Sequence, residues 1–289
     1  MILAVASGKG GTGKTTVSVN LARVRDEEVM LLDCDVEEPN DHLFLKGVAI
    51  KEEIVTIAIP QVDESLCDGC GVCSSFCEYH AIVSFGLTPL VFPEMCHGCG
   101  GCALVCPRHA IHEVDRRMGV VETIRAGKIT LLQGCLDIGV AMAPPLIRAV
   151  KARLPHGLPA ILDAPPGTSC PVIATLRGAD CVILVTEPTP FGLHDLELAV
   201  DMVRELAIPF GVVINRVGIG DGRVHAYCGQ ERIPVLLEIP DDRRIAEAYS
   251  KGDLIVEAIP EYGALFQNLI EKATALAYAG GSVRARIAT

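Results

Sequence analysis

Short, unbroken apolar runs recur along the chain and are separated by longer amphipathic stretches. Residues 2–7, 29–35, 129–132, 160–163, 181–185, 210–214 and 235–237 each read as a strand buried on both faces. A strand covered on one face only would alternate apolar with polar positions instead. Helical spacing follows the first run (17–24) and reappears at 193–206 and 265–279. Strands alternating with helices in this way predict an α/β fold built on a doubly wound, mostly parallel sheet.

The pattern breaks once, between about 57 and 114, where cysteine and glycine replace the apolar runs. The expected organisation is therefore a large α/β domain, residues 1–56 and 115–289, interrupted by a small α+β domain at 57–114. A length of 289 residues suits one large domain with such an insert. No apolar run is long enough to span a bilayer, and no cationic segment precedes the first strand, so a cytoplasmic protein without stable membrane insertion is expected. The net charge of −11 argues against a nucleic-acid partner, which needs a basic stripe to displace phosphate counterions.

Candidate chemistry begins directly after the first strand. Gly8-Lys9-Gly10-Gly11-Thr12-Gly13-Lys14-Thr15 fits the phosphate-binding pattern G-x-x-x-x-G-K-[ST], in the strand–loop–helix setting that the pattern needs. Glycines let backbone N–H groups and the following helix N-terminus face phosphate. Lys14 is placed to reach the β- and γ-phosphates and Thr15 to ligate Mg²⁺; Thr16 completes the nucleotide-binding stretch.

With Lys9 included, the loop resembles the deviant Walker A motif of the MinD/ParA/nitrogenase-iron-protein superfamily, the CobQ/CobB/MinD/ParA nucleotide-binding type. That resemblance covers the chain outside the insert. It implies a P-loop ATPase that sandwiches ATP between two subunits, with Lys9 reaching a partner's nucleotide; the partner is a second copy or a close paralogue. It further implies that Asp35 orients the attacking water, that Asp33 and Asp163 join Thr15 around Mg²⁺, and that Gly167 senses the γ-phosphate. Asn215 and Arg216 match the family's adenine-recognition position, and Pro240 and Asp242 its second base and ribose loop, although a plain strand-to-helix turn is the competing reading there. Hydrolysis of ATP to ADP and phosphate is expected to be slow and partner-stimulated, with Lys9, Lys14 and Asp35 as its catalytic residues.

Eight of the thirteen cysteines lie in the insert. Clustered cysteines in a reducing compartment favour metal ligation over disulfides. Cys67-x₂-Cys70-x₂-Cys73-x₃-Cys77 is repeated as Cys96-x₂-Cys99-x₂-Cys102-x₃-Cys106, and each run ends in similar text, with His80 and His109 at matching places. The repeat resembles two-cluster bacterial ferredoxins, in which the fourth cysteine of each run serves the other cluster. The resemblance implies one [4Fe–4S] cluster on Cys67, Cys70, Cys73 and Cys106, and another on Cys77, Cys96, Cys99 and Cys102. Zinc sites come as pairs of cysteine pairs rather than as runs of four. Glu78 departs from the pattern by standing where a proline usually follows the first run.

Cys34 and Cys181 read as small core residues. Cys135 and Cys170 have two readings: structural thiols, or a cluster bridging a dimer interface, since the nitrogenase iron protein holds its cluster by cysteines in similar regions. The expected function is a dimer-forming iron–sulfur ATPase that couples nucleotide state to electron transfer with a redox partner. The alternatives are a cluster assembly or carrier ATPase that serves client proteins, and a MinD-like positioning ATPase with structural or sensory clusters.

Overall fold

The structure is a computed structural model and describes residues 1–287. Its elements run β1 (Ile2–Ala6), α1 (Lys14–Arg23), β2 (Val29–Asp33) and β3 (Val48–Val62). The cysteine-rich segment then holds α2 (Val72–Phe76), the hairpin β4 (Ile82–Phe85) and β5 (Thr88–Val91), and α3 (Gly101–Leu104). The chain continues through β6 (Ile111–Ala126), β7 (Ile129–Leu136), α4 (Ala143–Ala152), β8 (Ala160–Asp163), α5 (Cys170–Leu176) and β9 (Cys181–Thr186). It ends with α6 (Pro190–Glu205), β10 (Phe210–Val217), α7 (Arg223–Gln230), β11 (Val235–Pro240), α8 (Arg243–Ser250), α9 (Ile255–Ala258) and α10 (Glu261–Ile287).

Two compact units result: 1–52 with 121–135 and 147–289, and 53–120 with 136–146. The smaller unit thus takes in residues 53–56, 115–120 and 136–146, which lie outside the 57–114 expected for the insert.

The sheet order is β11-β10-β9-β1-β8-β2-β7-β6-β3. The pairings from β11 across to β7 are all parallel. Strands β2, β8 and β9 are buried along their whole length, as a sheet covered on both faces requires. β1 pairs with β8 on one side and β9 on the other, so chain order reverses around it. Open α/β sheets bind ligands in the crevice at such a reversal, beyond the strands' carboxyl ends. The phosphate loop leaves β1 at that place. Below it the core of Leu3, Leu21, Leu31, Ile161, Ile183, Phe266 and Leu269 is fully buried and fixes the strand ends.

In the smaller unit β4 and β5 pair antiparallel around Gly86, whose φ of 80° suits glycine alone at low cost. Its core is small: Cys73, Ile82, Cys106, Ala110 and Ile111, with Cys67, Cys77 and Cys102 packed against it. Five of the eight run cysteines, three from the first run and two from the second, form part of this core or its margin. No helix among the described residues is long and apolar enough to cross a membrane.

Candidate functional site

The phosphate loop is held from three sides. Gly13 adopts φ 97° and ψ 24° and caps α1 without a side-chain bond, which leaves the helix N-terminus free for an anion. A Cβ on Gly8 would stand 2.0 Å from the carbonyl oxygen of Asp195, so only glycine permits the loop to lie against α6. Ser7 Oγ donates to the Lys9 carbonyl at 2.6 Å, and the Gly167 N–H donates to the Ser7 carbonyl at 3.1 Å. The loop, Asp35, Asn40, Asn215, Arg216, Pro240 and Asp242 line a cavity of about 460 Å³, a size within the range of small-molecule sites.

Three carboxylates gather behind the loop. Asp163 accepts hydrogen bonds from Thr15 Oγ1 at 2.7 Å and Ser18 Oγ at 3.0 Å. Asp33 accepts three backbone N–H groups of the loop after β2, from Asp35 at 3.1 Å, Asn40 at 2.8 Å and Asp41 at 3.1 Å. Asp41, which sequence reasoning missed, is 0% exposed, and neither carboxylate oxygen meets a hydrogen-bond donor. Burial raises the pKa values of Asp33, Asp41 and Asp163, and their mutual repulsion adds to the effect for the first two. Asp35 is half-buried and raised to about 6, by burial first, against the opposing pull of Lys14. Orphaned oxygens among crowded carboxylates fit a divalent cation, which favours oxygen ligands of this kind. Thr15 and Asp163 would hold Mg²⁺, whose part is to neutralise phosphate charge. Asp33 spends its oxygens on shaping the loop.

Asn215 and Asp242 are otherwise engaged. Asn215 Nδ2 donates to the Thr12 carbonyl at 2.8 Å, and its Oδ1 accepts the Arg216 N–H at 2.9 Å, so the side chain clamps the phosphate loop. Asp242 caps α8 by accepting the Arg244 N–H and pairs with the Arg244 guanidinium at 2.6 Å. Lys9 does not point into open solvent: its Nζ lies 3.4 Å from Glu187, a second residue that sequence reasoning missed. Glu187 follows β9 at the carboxyl end of the sheet, and that position was its only sequence signal.

The cysteines divide between two cavities of the smaller unit. Cys67, Cys70, Cys73 and Cys106 line one; Cys77, Cys96, Cys99 and Cys102 line the other, a space of about 280 Å³. Gly69, Gly71, Gly98 and Gly100 all take positive φ in the turns between them. His80 and His109 take the same left-handed conformation, φ 50° and 51°, at the end of each run. That turn aims the Ala81 N–H at Cys77 Sγ and the Ala110 N–H at Cys106 Sγ, both at 3.3 Å. Tyr79 stacks on His97 at 3.5 Å beside the second cavity.

Among the described residues, no three His, Cys, Asp or Glu side chains converge on a single ion's position. The cysteines surround spaces instead of meeting at points, and N–H groups aimed at sulfur stabilise thiolates. Four thiols around one space, with N–H groups aimed at sulfur, are a donor set that would suit a four-iron cluster. Burial pushes the Cys102 thiol up to about 11, and Cys73 and Cys96 upward, so any metal they bound would have to drive their deprotonation.

Cys135 is half-buried near the end of β7 and Cys170 is exposed as the first residue of α5. Cys34, Cys181 and Cys228 are buried; burial raises Cys181 to about 12, Cys228 to about 11 and Cys34 well above its usual range, as inert core thiols behave.

A glycine-rich loop at the switch point of a parallel sheet, backed by strand-end carboxylates, defines a P-loop nucleotide-binding protein. The family model for the CobQ/CobB/MinD/ParA nucleotide-binding domain matches residues 3–255, and the chain belongs to that family. An uncharacterized protein of Methanocaldococcus jannaschii is 32% identical over 88% of this chain and 90% of its own length. A Pyrococcus horikoshii protein named as an iron-sulfur cluster carrier is 26% identical over 93% of this chain and 84% of its own. The fold is that of the septum site-determining protein MinD from Pyrococcus horikoshii in complex with Mg-ADP. The TM-score is 0.58, with 96% of this chain and 98% of that one covered at 21% identity.

Proposed function

We propose that this protein is a dimer-forming ATPase whose nucleotide state governs electron transfer through two [4Fe–4S] clusters. The observation that carries the reading is the partition of eight cysteines into two cavities of four, each drawing its fourth thiol from the other run. Clusters held by four cysteines each supply one-electron carriers. The chain's own residues do the rest. The loop from Gly8 to Thr16 cradles the phosphates, Lys14 neutralises their charge, Thr15 and Asp163 fix the cation, and Asp35 orients the water. Lys9 completes the site of a partner subunit, and positioning with electrostatics supplies the rate.

A second reading, cluster delivery to client proteins, draws support from relatives named as carriers and from the exposure of Cys170. Anaerobic purification with iron, sulfide and zinc analysis separates the two. About eight irons per chain that resist chelators support the electron-transfer reading. Additional iron that chelators strip, and that disappears in Cys170→Ser, supports delivery. Zinc in place of iron ends both.

A further inference from the structure

Glu187 is a buried carboxylate that the ATPase reading leaves without a role. It is 7% exposed, yet it lies between two cations: Oε2 is 3.4 Å from Lys9 Nζ and Oε1 is 3.0 Å from Arg216 Nη1. Both cations reach solvent, and Arg216 is the closer partner, at 3.0 Å against 3.4 Å for Lys9. The Arg216 side chain is 53% exposed and that of Lys9 31%, while the Arg216 N–H donates to Asn215 Oδ1 and anchors that residue's backbone beside Glu187. The Lys9 backbone is itself pinned by Ser7 Oγ, so the lysine can change partners only by swinging its four-carbon stem.

We propose that Glu187 is a positioning residue for the ATPase site, holding the Lys9 ammonium inside its own subunit and releasing it to phosphate. The physics of the pair favours release. Removing one partner from an isolated buried ion pair is costly, because the remaining charge loses its compensation. Here Arg216 still neutralises Glu187 after Lys9 departs. A phosphate, with more charge than one carboxylate, then outcompetes Glu187 for the lysine. The hold keeps the lysine near the loop in a fixed place, so that it does not wander in solvent. That the phosphate belongs to a second subunit rests on the dimer reading given above; the hold itself does not.

Amine acylation of the nucleotide-free full-length protein, followed by mass spectrometry, reads the hold directly. Exposed Lys251 serves as an internal reference. Glu187→Gln is expected to label Lys9 about fivefold faster relative to Lys251, the scale of a lost ion pair of modest strength. Glu187→Asp should fall between Gln and wild type. A merely structural Glu187 lowers the melting temperature without changing that ratio, and an unchanged ratio in folded Glu187→Gln overturns the proposal. If Glu187→Gln fails to fold, the Asp variant and Lys9 labelling of wild type with and without ATP·Mg²⁺ decide it: faster labelling in Asp supports the hold, and identical labelling throughout overturns it. Sedimentation with ATP·Mg²⁺ addresses the dimer separately. A wild-type chain that stays monomeric while Glu187→Gln labels faster keeps the hold and removes the dimer reading.

Discussion

Thr15 Oγ1 donates to Asp163 Oδ2 at 2.7 Å, across 148 positions of sequence, and Ser18 engages the other oxygen of the same carboxylate. The parallel register of β1 with β8, in which Val5 stands opposite Asp163, brings the two together. The two groups proposed to hold Mg²⁺ are thereby brought within hydrogen-bond distance of each other. Replacing Asp163 with Asn keeps the volume and removes the charge. Mg²⁺ affinity for the ATP complex, titrated with Mn²⁺ as a paramagnetic probe, should fall about 10- to 100-fold, as it does when outer-shell carboxylates are lost. Unchanged affinity would place the cation elsewhere.

Asp41 is the costly member of this cluster. Its raised pKa means that the stability contributed by its neutral form is complete below the ordinary carboxylate range near 3.8 and is lost as pH rises through the elevated value. Asp41→Asn removes a buried charge and introduces donors facing two carboxylates. In EDTA at pH 8 the variant should be more stable than wild type by about 1–3 kcal/mol, the scale of an unsatisfied buried polar group. The advantage should shrink toward acid pH and on adding Mg²⁺. Thermal unfolding at two pH values checks it, and a gap that grows on acidification contradicts the assignment.

Asp35 should set the acid limb of hydrolysis. Its acidity lies at about 6 because burial outweighs the attraction of Lys14. With the proposed role of the ionised form in orienting water, kcat/KM, which reports the free protein, should rise as pH passes through about 6 and flatten above it. Asp35→Asn should remove that limb together with most of the activity.

Asn215 offers a test of role. Its amide grips the Thr12 carbonyl, and a Cβ on Gly13 would lie 2.5 Å from its Nδ2. Asn215→Ala should therefore weaken ATP and inorganic triphosphate by the same factor, about tenfold or less for one lost hydrogen bond. Calorimetric titration of both ligands decides the matter. A loss confined to ATP would restore base recognition as the function of this side chain.

The cross-run pairing also makes a specific demand. Cys106→Ala, although it lies in the second run, should abolish the cluster whose other ligands are Cys67, Cys70 and Cys73, and iron should fall from about eight to about four per chain. Loss of the other cluster instead, resolved by its spectrum, would overturn the pairing.

The strands of the central sheet were legible because burial on both faces leaves unbroken apolar runs, as in Cys181–Thr186 and Ala160–Asp163. The long strands Val48–Val62 and Ile111–Ala126 were not: Lys51, Glu52 and Glu53 in one and Arg116 and Arg117 in the other break any run, and much of their length is exposed. Loop glycines and cysteine runs reveal themselves through spacing, since the chemistry there acts between near neighbours. Glu187 and Asp41 carry no such mark. What each does depends on contacts with Lys9, Arg216 or Asp163 that only the folded sheet creates, and the same is true of the Asn215 clamp.

The central claim is that nucleotide state and cluster chemistry are coupled in one chain. Its most direct test is potentiometric EPR of the anaerobically purified protein, with and without ATP·Mg²⁺ and with ADP·Mg²⁺ as the control. Coupling gives two reducible four-iron signals, at least one of which shifts in potential or line shape with ATP and reverts with ADP. Two signals identical under all three conditions would contradict it.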